Sequence, residues 1–417
     1  MSWTLLNALV CAATLVAFGE GGAEAAEARN VPVGEADADT RSVALAATTG
    51  TKTACDTATG RVLQVGPGKD YAVPSAAAAV AQSGDVIKID AGRYSGDVAS
   101  WRASNLTICG AGGRARLYAA GRNAEGKGIW VIQGSDVVVD SLEFHDAKVP
   151  DQNGAGIRAE GLNLTITNSG FFDNENGILS GNGGTVTIGE SEFARNGYGD
   201  GQSHNIYIGM AESLVVTSSY FHEARIGHQL KSRAKQTVVE NSYFVDGPDG
   251  TSSYLIDTPN GGIVTLRGNL FHKGPNADNP IAIAYGQEGL KHPINTLQMT
   301  HNTIVSTYPG GFYLAAASST QAVHLTANLF VGTALLISGF PSGSVVQMDN
   351  KLTSASSFSG ADNVISPNFW PNARLRSQIA LGYVPDPGYT RDAPKPFVTR
   401  VIRGTTRLIG ALQAAPR

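Results

Sequence analysis

Asn168-Ser169-Gly170-Phe171, Ser191-Glu192-Phe193, Ser219-Tyr220-Phe221 and Asn241-Ser242-Tyr243-Phe244 are variations on a single phrase. The phrase begins earlier, in Ser141-Leu142-Glu143-Phe144, and continues in Asn269-Leu270-Phe271, Asn302-Thr303-Ile304 and Asn328-Leu329-Phe330. Its closing residues, at 144, 171, 193, 221, 244, 271, 304 and 330, lie 27, 22, 28, 23, 27, 33 and 26 positions apart. A period in this range is the mark of a solenoid, in which each repeat buries its apolar face only against its neighbours. Between the phrases stand short Val/Ile/Thr runs broken by Gly, Asn and Asp, too short and too β-branched for helix pairs. The expected class is all-β: a single-stranded parallel β-helix. The recurring Phe should form a core stack, and the Asn and Ser should hydrogen-bond from turn to turn.

The bulk composition suits such a chain. Of 417 residues, 42% are hydrophobic, 16% are charged and 50 are Gly, which supplies the positive φ that tight coils need. A solenoid grows lengthwise, so this length does not demand two domains. Formal net charge is −4. Residues 1–28 hold Glu20, Glu24 and Glu27 and no Lys or Arg, which leaves −1 for a form starting at Arg29. Nothing in this balance points to a nucleic-acid partner.

Four segments are expected. Residues 1–28 read as a signal peptide, with an apolar run from Leu5 to Phe18 and small-residue cleavage sites at Ala23-Glu24-Ala25 or Ala26-Glu27-Ala28. The run is too short to span a bilayer, and Val10 before Cys11 makes a poor lipoprotein site. A secreted or periplasmic monomer without a membrane span is the expectation. Residues 29–54, rich in Ala, Thr and Asp without periodicity, read as a disordered linker. Residues 55–350 carry the β-helix. Residues 351–417 lose the repeat and gain Pro, as a C-terminal cap or tail. Export leaves Cys55 and Cys109, which either form a disulfide closing a loop of 54 residues or remain two buried thiols. A bridge of that span contributes about 4 kcal/mol in the loop-entropy account. No Cys/His spacing is that of a zinc site.

The start of the repeat region is distinctive. Val62-Leu63-Gln64-Val65-Gly66-Pro67-Gly68-Lys69-Asp70-Tyr71 reads as a strand and turn, and Pro74 to Gln82 as an Ala-rich helix. Gly84-Asp85 leads into the strand Val86-Ile87-Lys88-Ile89, and Ala91-Gly92-Arg93-Tyr94 turns the chain again. This opening resembles the N-terminal cap of the pectate-lyase-like right-handed β-helix superfamily. The resemblance continues through Asn105-Leu106-Thr107-Ile108-Cys109-Gly110 and the Asn/Ser-x-Phe coils to about Phe340. It implies a right-handed coil and a helix covering the open N-terminal end, where core and strand edges are otherwise exposed. It does not imply one reaction, because this fold carries many.

Polar residues concentrate between Gln202 and Lys291. Counting back from each coil's Phe aligns Asn205-Ile206-Tyr207-Ile208, Gln229-Leu230-Lys231-Ser232-Arg233 and Leu255-Ile256-Asp257-Thr258. Side chains alternate across a strand, so Ile206, Leu230 and Ile256 face inward while Tyr207, Lys231 and Asp257 face outward on successive coils, about 4.8 Å apart. Arg233 shares that face. His204 and His228 sit at the strand mouths, and His222, Arg225, Tyr254, Tyr285, Glu288 and Lys291 come from neighbouring turns as candidate substrate contacts. Arg225, Lys231, Arg233 and Lys235 face one acid, Glu223, over a short stretch, an excess that suits an anionic ligand. The blander alternative is a surface pair between Lys231 and Asp257, worth at most about 1 kcal/mol, beside histidines that only satisfy turns.

The strings Gly227-His228-Gln229-Leu230-Lys231-Ser232-Arg233-Ala234, Ser203-His204-Asn205-Ile206-Tyr207 and Pro259-Asn260-Gly261-Gly262 resemble a group of exported bacterial β-helix proteins described by fold alone. The leading expectation is a lyase that cleaves a uronate-containing polysaccharide by β-elimination. Lys231 would be the base, Arg233 would neutralise the carboxylate, Tyr207 or His228 would protonate the leaving oxygen, and Asp257 would orient Lys231. This is similar to the Lys/Arg chemistry of chondroitinase B and related alginate lyases. No acidic cluster of the calcium type stands beside these strands, and calcium stays open as a cofactor. Glycoside hydrolysis, with Asp257 paired to Glu288, Asp246 or Asp249, is an alternative. C5-epimerisation begins with the same proton abstraction, although the Asp-Pro-His-Asp motif of alginate epimerases is missing, as are the paired Asp motifs of pectin methylesterases. The competing class is a non-catalytic envelope protein that binds an acidic polysaccharide.

Overall fold

The computed structural model describes residues 52–339 and 341–354, with the short segments 389–390, 398–399 and 409–411. The expected signal peptide, most of the linker and most of the C-terminal tail lie outside the described residues. No helix among the described residues is long and apolar enough to cross a membrane.

Each coil is built from three short strands separated by turns. In one coil these are Val137–Asp140, Leu142–His145 and Ala155–Ala159. Within the coils each strand pairs in parallel with its counterpart one coil away, which produces three ladders. The first and second ladders belong to one 21-stranded sheet, because the long strands Val86–Ser95 and Thr107–Tyr118 run through both. The third ladder is a separate sheet of ten strands. Parallel pairing of consecutive coils needs no crossover helix, and the structure contains almost none. The helix expected over 74–82 is confined to Pro74–Ala78, with Pro at its first turn and Ala77 packed into the core. The turn expected at Ala91–Tyr94 is an irregularity between Asp90 and Gly92 within a continuous strand. The repeat also runs past 350, since Lys351–Thr353 pairs with Leu329–Val331.

The repeating phrase does two jobs. Its aromatic residue forms the core stack: Phe144, Phe171, Phe193, Phe221 and Phe244 lie ring on ring, with centroids 4.6–5.1 Å apart. Its Ser or Asn, two positions earlier, accepts the backbone N–H of the equivalent residue one coil before. This relay runs from Ser169 through Ser191, Ser219, Ser242, Asn269, Asn302 and Asn328 to Asn350 at 2.9–3.2 Å. From Asn269 onward the side-chain amides also bond one another. The residue before each relay member has positive φ, as at Asn168, Ser218, Asn241 and Gly268, so the chain makes a one-residue corner. Such a corner cannot pair its amides within a flat ladder, and the relay satisfies them.

At the N-terminal edge, Cys55 and Cys109 form a disulfide with a Cα–Cα distance of 6.0 Å. At the other end, Ala411 is buried and its N–H donates to Thr303 Oγ1, while Gly410 N–H donates to the Ala327 carbonyl. Asn302 is wholly buried in the relay, where it accepts one backbone N–H and donates to the Leu266 carbonyl. Asn302→Ala therefore leaves buried groups without partners, and is expected to lower stability by about 2 kcal/mol in denaturant unfolding. An unchanged unfolding curve contradicts the role given to the relay.

Candidate active site

The third ladder carries the site. Ile206–Ile208, Leu230–Ser232 and Ile256–Thr258 pair with Ile206 opposite Leu230 and Leu230 opposite Ile256. These three aliphatic side chains are fully buried in the core. The alternation then puts Tyr207, Lys231 and Asp257 on the outer face in direct register. Registers of Lys231 with Tyr207 and Asp257 are those expected from counting back to the Phe column.

These residues join a network with Arg233, Asn260 and Glu288. Lys231 Nζ donates to Glu288 Oε1 at 2.8 Å and lies 3.4 Å from Asp257 Oδ2. Arg233 reaches three partners: Nη2 is 2.6 Å from Glu288 Oε2, Nη1 donates to Asn260 Oδ1 at 2.5 Å, and Nε donates to the Tyr207 hydroxyl at 2.8 Å. Glu288 thus bridges both cations with one carboxylate. It projects from the turn between Gly286 and Gly289, both at positive φ, and its side chain is 46% exposed. Asn260 was not among the candidates from sequence. Its only signal was the turn Pro259-Asn260-Gly261-Gly262 at the strand mouth.

Behind the network, His204 and His228 stack with centroids 4.6 Å apart, and Tyr254 lies against His228 at 4.9 Å. His204 Nδ1 accepts the backbone N–H of His228, and His228 Nδ1 accepts that of Tyr254. Both rings therefore keep their proton on Nε2, and His228 Nε2 lies 3.3 Å from Asp257 Oδ2. Burial, reinforced by Lys231 and Arg233, depresses His204 to about 3. His228 is pushed well below its usual range by burial first, then by His204 and Lys231. Asp257 moves the other way, to about 7, because burial outweighs the attraction of Lys231. Its Oδ1 is buried without a hydrogen-bond partner. Burial also raises Glu288, but bonds from Lys231 and Arg233 prevail and hold it below the usual carboxylate range.

Other candidates lie elsewhere. His222 belongs to the second ladder, on the strand Tyr220–His222, and bonds to Glu192 at 3.0 Å and Glu223 at 2.8 Å. Arg225 pairs with Asp173 at 2.6 Å, in a cluster that includes Arg195. The chain turns between ladders, so residues close in sequence are sent to different walls. Tyr285 is fully buried in the core and donates to the Gly262 carbonyl at 2.7 Å, which removes it from substrate contact. It stands opposite Thr258, one place beyond the outward position that Ala284 takes opposite Asp257. Lys235 pairs with Glu212 rather than flanking Lys231. Lys291 is exposed, and its backbone N–H donates to the Asn260 carbonyl. Asp246 is wholly buried beside Lys273, so it cannot serve as a partner carboxylate in the groove.

Asp257 and Glu288 are each engaged by a cation of the chain. They do not fit a calcium ion, which takes six to eight oxygen donors. Among the described residues, no three His, Cys, Asp or Glu side chains are grouped to hold a metal.

The two buried groups predict opposite pH effects. A His depressed from 6.5 to about 3 contributes stability above its unfolded pKa and loses it as pH falls. An Asp raised from 3.8 to about 7 contributes at low pH and loses it as pH rises. The stability advantage of wild type over His204→Gln should shrink between about pH 7 and about pH 4, and that over Asp257→Asn should grow. Urea unfolding of the three proteins checks both signs, and parallel pH curves for all three contradict them.

The right-handed β-helix region family model matches residues 96–271. No curated protein matches the sequence. Among solved structures, the pectate lyase Pel9A superposes with a TM-score of 0.58 at 15% identity, covering 86% of this chain and 98% of its own. An alginate lyase from Paenibacillus sp. str. FPU-7 superposes with a TM-score of 0.50 at 16% identity, covering 70% and 99% respectively. At such identities the likeness is one of fold. The chain folds as a right-handed parallel β-helix.

Proposed function

We propose that the protein is an exported polysaccharide lyase that cleaves a uronate-containing chain by β-elimination at the Tyr207–Lys231–Arg233 site. The observation that carries this reading is the grip of Lys231 and Arg233 on a single carboxylate, with a phenol bonded to the same guanidinium. Here the carboxylate is that of Glu288. A uronate needs the same neutralisation when its α-proton leaves, because charge then builds on its carboxylate. The names of the two structural relatives, a pectate lyase and an alginate lyase, support an acidic polysaccharide as substrate.

In the reaction, the substrate carboxylate takes the place of Glu288 between Arg233 and Lys231. The Lys231 amine takes the proton next to the carboxylate, and the released electron pair forms the carbon–carbon double bond as the glycosidic C–O bond breaks. The Tyr207 hydroxyl gives its proton to the leaving oxygen, and Arg233 Nε, already on that hydroxyl, stabilises the phenolate. Return of the proton from Lys231 to Tyr207 restores the enzyme. His228 is a poor acid here, since its Nδ1 accepts a backbone N–H and the ring is held neutral. Its part is to position Asp257, which orients Lys231.

Incubation with alginate, pectate or a glycosaminoglycan should raise the ultraviolet absorbance of unsaturated uronate for at least one of them. Lys231→Ala is expected to lower that rate about a thousandfold, with folding intact. Full turnover by Lys231→Ala excludes it as the base. No absorbance change, with retention on an acidic-glycan column, would favour the non-catalytic binder. Glu288→Gln, which weakens the internal competitor, is expected to lower KM several-fold with less effect on kcat. A raised KM would make Glu288 a substrate contact instead.

A further inference from the structure

The outward column that holds Tyr207, Lys231 and Asp257 extends in both directions. Toward the C-terminus it continues with Ala284, Ala315 and Ser338, all small and uncharged. Toward the N-terminus it runs from Tyr207 to Leu179, then to Arg158, then to Val131. Arg158 is half-buried, with its stem between Leu179 and Val131, and both of these are nearly inaccessible. The acid two residues on, Glu160, is engaged by Lys127 at 2.6 Å. The Arg158 side chain makes no hydrogen bond or ion pair among the described residues. By contrast, Lys231 and Arg233 in the site are both paired.

We infer that Arg158 is a second carboxylate-binding position on the same wall, so that an acidic polysaccharide lies along the ladder from Lys231 toward the N-terminal coils. This rests on the reading of the Lys231–Arg233 pair as a uronate site. Three rungs separate Arg158 from Lys231, about 14 Å at a strand spacing of about 4.8 Å. That span exceeds a single sugar, so the carboxylate on Arg158 belongs to a residue further along the chain. Guanidinium is the suitable group, because its fork binds a carboxylate bidentately and it is weakly hydrated. No comparable cation follows Asp257 in the column, so binding is directional.

The test is calorimetric titration of oligomannuronates and oligogalacturonates, as trimers and hexamers, in a Tyr207→Phe background that keeps all three cations. Hexamer should bind about tenfold more tightly than trimer, as expected for one more charge-assisted contact. Arg158→Ala and Arg158→Gln should each erase this gain and leave trimer affinity unchanged, which also shows that the variants are folded. A length dependence that survives both substitutions overturns the Arg158 site while leaving the Lys231 site in place. Failure of every oligomer to bind removes the uronate site itself, and the inference with it.

Discussion

Everything at the candidate site depends on vertical register, and register depends on how the corners are closed. From Ser141 onward, each coil turns from the first to the second ladder through one left-handed residue, and the amide that follows cannot find a partner within its own coil. A Ser or Asn from the next coil accepts it, from Ser169 to Asn350 without interruption. The Phe stack beneath keeps the same pitch. A one-residue slip would turn every outward side chain inward, so the buried relay and the exposed chemistry share one constraint. Tyr207, Lys231 and Asp257 align because Phe193, Phe221 and Phe244 do.

On this frame the site combines opposed electrostatic demands. Two stacked histidines are held neutral by burial first, with backbone N–H groups occupying their Nδ1 atoms. Asp257, packed against them, is easier to protonate than a solvated carboxyl. Outside that neutral layer stand two cations, both paired with the half-exposed Glu288. A low-dielectric wall behind paired cations makes an anion site stronger than the same charges in water. Glu288 occupies it, from a turn whose glycines flank the acid on both sides. Arg158 extends the same wall toward the N-terminus.

Much of this was legible in the chain because a solenoid writes its geometry as a period. The Asn/Ser-x-Phe phrase located the core stack and the polar relay, and counting back from it set the facing of Tyr207, Lys231 and Asp257. Other features were not legible, for physical reasons. His222 and Arg225 lie close in sequence to His228, but His222 is on the second ladder and Arg225 in the turn that follows it, and spacing does not show where corners fall. Tyr285 turned inward because Ala284 takes the outward place opposite Asp257, a parity visible only once that strand's register is known. The reach of Glu288 across two coils to Lys231 depends on a turn conformation that no period encodes. Pro74–Gln82 read as a full helix from its alanines, yet the chain leaves the helix after Ala78.

The most direct test of the central claim is a crystal structure of the Tyr207→Phe protein with a bound hexauronate. The account predicts one sugar carboxylate between Lys231 and Arg233, Glu288 displaced from both, and the chain running along the third ladder. An oligosaccharide seated on another wall, with Glu288 still bridging the two cations, would contradict it.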